Sequence, residues 1–187
     1  MKLIRLKFFT RLFSVALLIA SGLLCVHTMA IGVDADNFIE QASAKALAEI
    51  ELGKIAVQKS SVPEVKAFAK KMIENNATVT KDLRELASKK NVQMADEAAL
   101  LAKSKTSILN QREGESFDVS YINNQIAAHQ ATITLFKDAS SSTDEDVRRL
   151  AATSLPRLEQ HLRDAEALVG VIARANKNPD DVHEYSN

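Results

Sequence analysis

Tryptophan is absent from this chain and cysteine occurs once, at Cys25. A lone thiol excludes both a disulfide framework and a cysteine-built metal cluster, since each needs at least two. Proline and glycine are scarce, at three and five residues, and aromatic residues make up only 5%. With Ala, Leu, Glu and Lys abundant, that scarcity favours long helices joined by few turns. An excess of one charge is also lacking, because 24 Lys and Arg balance 24 Asp and Glu. No clustered basic face stands ready to neutralise phosphates, so nucleic acid is not an expected partner. Neither a Gly-rich phosphate loop nor a serine spaced for a His-Asp partner is present, and an enzyme is not expected.

The one long apolar run is at the start. Lys2, Arg5, Lys7 and Arg11 precede Leu12 to Val26, and small residues follow around Thr28 to Ala30, the pattern of a secretory signal peptide over residues 1–30. Cleavage after Ala30 or after Ala35 fits. As a helix the run rises roughly 22 Å, short of the ~30 Å hydrocarbon layer, which disfavours an uncleaved anchor. Leu24, before Cys25, is larger than a lipid-attachment site wants. Cleavage takes Cys25 and four basic residues with it, leaving 20 basic against 24 acidic, a net charge of −4. The expectation is an exported protein of the periplasm or cell envelope with no integral membrane segment after processing. One domain is expected over 36–175 and a disordered tail over 176–187.

Apolar spacing divides that domain into four helices. The first runs from about Asp36 to Ser60 with the inward face Ile39, Ala42, Ala46, Glu49, Gly53 and Ala56. Ser61 and Glu64 are spaced as a capping box, with Pro63 tolerated in the first turn, opening a second helix that ends near Lys90. Its inward face is Val65, Phe68, Met72, Asn76, Val79, Leu83 and Leu86. Residues 91–116 are less regular; Leu100, Leu101, Ile108 and Leu109 suggest a short helix within a long crossover along the bundle. The third helix spans about Phe117 to Ala139, facing inward with Asp118, Ile122, Gln125, His129, Thr132 and Phe136. Thr143 is the expected N-cap of the fourth, which carries Asp144, Glu145 and Asp146 at its positive end and Pro156 in its interior. His161 lies on its inner face beside Leu158 and Ala165.

Near its middle each helix thus carries a polar residue where an apolar one is expected, Glu49, Asn76, His129 and His161, and the inward face of the third is polar elsewhere too, at Asp118, Gln125 and Thr132. The four mid-helix residues lie roughly 18–24 Å of rise from their helix starts, so antiparallel packing brings them near one level. Two readings follow. The groups bond to one another, with Tyr121 or Asn76 completing the network, and fix helix register; or Glu49, His129 and His161 hold one iron, copper or zinc ion, with Asn76 and Asp118 as neighbours. A dinuclear centre is not expected, because ferritin-like di-iron sites use Glu-x-x-His and the positions three before His129 and His161 hold Ile126 and Leu158.

The stretch Glu49 to Ala56, the run Val65 to Met72, Phe117-Asp118 with Tyr121, His129-Gln130 and Phe136, and Leu155-Pro156 with Leu158, His161 and Leu162 together resemble the DUF4142 family. The resemblance covers about Phe38 to Leu168. It implies an exported, ferritin-like four-helix bundle of the outer membrane or periplasm, with no assigned activity. Where the family pattern has an Asp-His pair on the second helix this chain has Asn75-Asn76, and before His129 it has Ala128. Glu49, His129 and His161 match family positions. The combined expectation is an all-α, ferritin-like four-helix bundle of structural, stress-related or interaction type, the alternative being a mononuclear transition-metal protein. Protein partners and oligomeric state are not legible.

Overall fold

The computed structural model describes residues 34–97 and 108–175. The expected signal peptide, the tail beyond 175 and Leu100 and Leu101 lie outside the described residues. Four long helices, α1 (Ala35–Lys59), α2 (Pro63–Lys90), α3 (Gly114–Ala139) and α4 (Glu145–Ala175), and one 3-10 turn (Ile108–Gln111) make up the regular structure there. The chain is all-α in its described residues, and none of these helices is long and apolar enough to cross a membrane.

The helix ends show which local signals are used. Pro63 opens α2 as expected, yet the N-cap is Val62 and carries no side-chain cap. The anticipated capping box does not form, because the Ser61 hydroxyl turns to Asp118 Oδ2 at 3.4 Å. The N-terminus of α4 is capped by Asp144 rather than Thr143: its Oδ1 accepts from the backbone N–H of Asp146 at 3.0 Å and of Val147 at 3.2 Å. At the end of α2, Asn91 takes the left-handed conformation (φ 55°), and the Val92 N–H turns back to the Ala87 carbonyl at 3.0 Å, a standard helix stop. Pro156 does not break α4, which continues through it; the residue is exposed, so the carbonyl it leaves unbonded one turn earlier can meet water.

The bundle is two hairpins. Each of α1 and α2, and of α3 and α4, packs chiefly on its hairpin partner, and the hairpins meet through α1 on α3 and α2 on α4. Gly53 sets the closest approach within the first hairpin: a Cβ there would fall 2.8 Å from Ile73 Cγ1 and 3.1 Å from the Ala69 carbonyl oxygen. Phe38 near the start of α1 meets Phe136 near the end of α3, with ring centroids 5.1 Å apart, so these helices are antiparallel. It follows that α1 and α4 point one way and α2 and α3 the other. The end of α2 and the start of α3 are then at opposite ends, and the connection must travel the length of the bundle. The described residues on its two sides agree: Ala95 N–H donates to Ser43 Oγ near the start of α1 at 2.9 Å, whereas Leu109 is buried beside Val62 and Phe117 at the far end.

Buried apolar residues fall into two groups. Phe38, Ile39, Leu83, Phe136 and Val147 belong to one; Val65, Met72, Phe117, Tyr121 and Leu168 belong to the other. Between the two groups the bundle is polar.

Candidate functional site

The polar level comes from all four helices. Glu49, Asn75, Asn76, His129 and His161 line one cavity there, with Lys45, Thr132, Ser154 and Arg157 around it. Its internal volume is about 30 Å³, room for one or two water molecules or a single small ion.

His129 is buried, and its Nδ1 lies 2.8 Å from the backbone carbonyl oxygen of Gln125, one turn back on α3. A carbonyl only accepts, so Nδ1 carries the proton and Nε2 presents a lone pair. His161 is also buried and meets the His129 ring edge-on, with centroids 5.5 Å apart. Asn75 Nδ2 sits 3.0 Å from its Nε2. With the amide nitrogen donating, Nε2 accepts and the ring proton is on Nδ1, which is buried without a partner. Burial lowers both imidazole pKa values. For His129 the bond to Gln125 opposes that shift, whereas for His161 the charges of His129 and Lys71 add to it and take it down to about 4. Both rings are therefore neutral at ordinary pH.

Glu49 is 7% exposed and burial pushes its pKa up to about 7, against the opposing influences of Gln125 and Lys45. Its Oε2 has no hydrogen-bond partner. Gln125 is close enough to favour the ionised carboxylate, yet both polar atoms of its amide stay outside hydrogen-bonding geometry. The Tyr121 hydroxyl is buried and unpartnered too, and its pKa is raised by burial and then by Glu49.

Helix register explains who meets whom. Counting on from the Phe38–Phe136 contact, Glu49 lies eleven residues along α1 and Gln125 eleven back along α3. Glu49 is thus opposite Gln125, one turn short of His129, and makes no hydrogen bond to either imidazole. The expected Glu49, His129 and His161 do share a cavity, but among the described residues no three His, Cys, Asp or Glu side chains are disposed to hold a metal ion. That one-turn offset is the physical reason. Asn76 is half-buried and spends its amide on the Met72 carbonyl of its own helix at 2.9 Å. Asp118, expected as a neighbour, is fully buried near the other end against Ser61, about 16 Å of helix from His129.

Asn75, Lys45 and Arg157 were not legible as site residues. For Asn75 a signal exists: Lys71 and Asn75 share an edge of α2, Asp164 and His161 share an edge of α4, and the Lys71–Asp164 ion pair at 2.7 Å aligns the two edges. Lys45 and Arg157 read as outer-face charges, and it is as partly or fully exposed residues that they border the cavity.

An all-helical bundle with a polar chamber at mid-height, closed by histidines and a buried carboxyl, defines the class of protein. The chain belongs to the DUF4142 family, a domain of unknown function, whose profile matches residues 27–168. A crystal structure from Streptomyces coelicolor, described as a candidate secreted protein of DUF305, is similar with a TM-score of 0.61 and 16% identity over 75% of this chain and 94% of that one. At that identity the likeness speaks for the fold alone. No match was found among curated proteins.

Proposed function

We propose that this DUF4142 protein works outside the cytoplasm, in the periplasm or cell envelope, as a bundle of structural, stress-related or interaction type rather than as an enzyme. The basic, then apolar, then small-residue start supports export, and the description of the S. coelicolor neighbour as secreted agrees with it. The observation that carries the scaffold reading is the division of the core into two apolar groups by a polar level. Sliding one hairpin by a turn would take Glu49 away from Gln125 and part His161 from Asn75, so the level favours a single register. Its unpartnered atoms, Glu49 Oε2, His161 Nδ1 and both amide atoms of Gln125, are of the kind that enclosed water satisfies.

A second reading is a mononuclear site for iron, copper or zinc. It is favoured by His129, whose Nδ1 is anchored on a backbone carbonyl and whose Nε2 is free to donate an electron pair, the usual posture of a ligating imidazole. The donor set fits such an ion poorly, since Glu49 sits one turn away. Elemental analysis of the purified protein after mild exposure to the three metals, beside a His129→Ala, His161→Ala variant, separates the readings. No bound metal in either chain and a lower Tm for the variant are expected; near-stoichiometric metal lost in the variant would replace the scaffold reading with the second one.

A further inference from the structure

Sulfur is scarce in this chain and unevenly placed. Among the described residues it occurs at Met72 and Met94 alone, and the expected cleavage after Ala30 or Ala35 takes Cys25 away. Met72, on the inward face of α2, is 0% exposed. Met94 is half-buried, in the irregular stretch by which the chain leaves α2 for the crossover. An oxidant in solution therefore reaches the Met94 thioether and is kept from that of Met72.

The place of Met94 in the fold gives its oxidation a consequence. Together with Val92 it packs against the buried group that holds Phe38, Ile39 and Leu83, so this short stretch lies over the start of α1 and the end of α2. Two hydrogen bonds fix it, one on either side of the sulfur. Val92 N–H donates to the Ala87 carbonyl at 3.0 Å, and Ala95 N–H donates to Ser43 Oγ at 2.9 Å. Ser43 is itself fully buried on α1, its hydroxyl donating to the Glu40 carbonyl at 3.0 Å. The Ala95–Ser43 bond thus ties the beginning of the crossover, the one covalent link between the two hairpins, to the first helix.

We propose that Met94 is a reversible oxidation site for peroxides, and that its sulfoxide releases the start of the crossover from α1. The sulfur lone pair attacks one peroxide oxygen, and the S–O bond forms as the O–O bond breaks. Sulfur gives up two electrons, and the departing hydroxide takes the proton of the attacked oxygen and leaves as water. A thioether is apolar and adaptable, whereas the sulfoxide oxygen is polar and accepts hydrogen bonds. Held against an apolar group it has no donor, and water supplies one once the side chain turns outward. That turn moves the adjoining Ala95 and breaks its bond to Ser43. A dithiol-dependent sulfoxide reductase returns the two electrons, releases the oxygen as water and restores the thioether. The inference goes beyond the scaffold reading and stands whether or not the polar level holds a metal.

The test exposes the protein, as its producing cell processes it, to limiting hydrogen peroxide, and peptide mapping by mass spectrometry follows each methionine. In the folded chain Met94 is expected to gain oxygen at least about tenfold faster than Met72, with the two rates converging in urea. Amide exchange of Ala95, read by NMR, is expected to quicken about tenfold in the sulfoxide, the protection that one hydrogen bond confers. Treatment of the same sample with sulfoxide reductases should slow it again. Met94→Leu keeps the apolar contact without the sulfur, so peroxide should leave its Ala95 exchange unchanged. Equal oxidation rates for Met72 and Met94 in the folded chain would overturn the proposal. So would a Met94 sulfoxide whose Ala95 exchange matches the untreated protein, or a peroxide response that persists in Met94→Leu.

Discussion

Replacing Glu49 with glutamine is expected to stabilise the protein by an amount that depends on pH, and the size follows from burial of the carboxyl. In the folded chain its pKa is lifted from 4.5 to about 7. A carboxyl with a raised folded pKa holds its proton more tightly folded than unfolded. Its penalty is therefore absent below about pH 4.5, where both states are protonated, grows as pH rises, and is complete above about pH 7. At about 1.4 kcal/mol per pH unit the full penalty is about 3 kcal/mol. Glu49 is 7% exposed, so solvent screening removes little of this. Glu49→Gln preserves shape and removes the titration; any change in amide hydrogen bonding adds an offset that does not vary with pH. Urea unfolding of both chains at about pH 4.5, 6 and 8 measures the difference. Its histidine contributions largely cancel, because the same imidazoles titrate in both chains. The variant's advantage is expected to grow by about 3 kcal/mol from the lowest pH to the highest, roughly 6–12 °C in Tm for a domain of this size. A difference independent of pH would refute the burial argument, and one that shrinks as pH rises would mean that Glu49 is ionised and well partnered in the folded chain.

Three further substitutions probe the surrounding structure. Asn75→Ala removes the partner of His161 Nε2 and is expected to cost about 1 kcal/mol in chemical unfolding and to shift the His161 ring resonances, whereas Asn76→Ala, which loses a bond within its own helix, should leave those resonances in place; equal ring shifts would place the histidine's partner elsewhere. Asp144→Ala deletes two backbone caps on α4 and should lower stability by about 1 kcal/mol, with Thr143→Ala nearly silent, and the reverse ranking would return the cap to Thr143. Gly53→Ala forces a methyl against Ile73 and the Ala69 carbonyl, so a loss of about 1–2 kcal/mol is expected in spite of the better helix propensity, and a more stable variant would show that α1 and α2 are not in such close contact.

Helix positions and burial were legible because a 3.6-residue repeat needs only the identity of each residue. Glu49, His129 and His161 are buried where the repeat puts them, and Asn91 marks the end of α2 in the way an asparagine often does. The crossover was legible from the length of the irregular stretch between the second and third helices. Contacts between helices were not, because they depend on axial register, which no single helix encodes. Treating four mid-helix polar residues as one level put Glu49 beside the imidazoles; the Phe38–Phe136 contact shifts it a turn toward Gln125. Asn76 and Asn75 differ by one position and about a hundred degrees of helix, and the choice between them belongs to α4, through Lys71 and Asp164. Ser61 illustrates the same limit at a helix end. Its spacing to Glu64 is that of a capping box, yet the buried Asp118 from another helix claims its hydroxyl, since a carboxylate that leaves water must find a donor.

The crossover between α2 and α3 also bears on the order of assembly. Contacts within each hairpin join residues near in sequence and close quickly, whereas contacts between hairpins wait until the connection has been laid along the whole bundle. The two hairpins are then separate pieces joined by one tether, and a second copy can supply the missing half as well as the same chain can, with every interhelical contact reproduced. High protein concentration during refolding is therefore expected to favour an exchanged pair, in which each polar chamber would be built from two chains; size-exclusion chromatography of protein refolded at low and high concentration measures it, and a monomer at both would refute it.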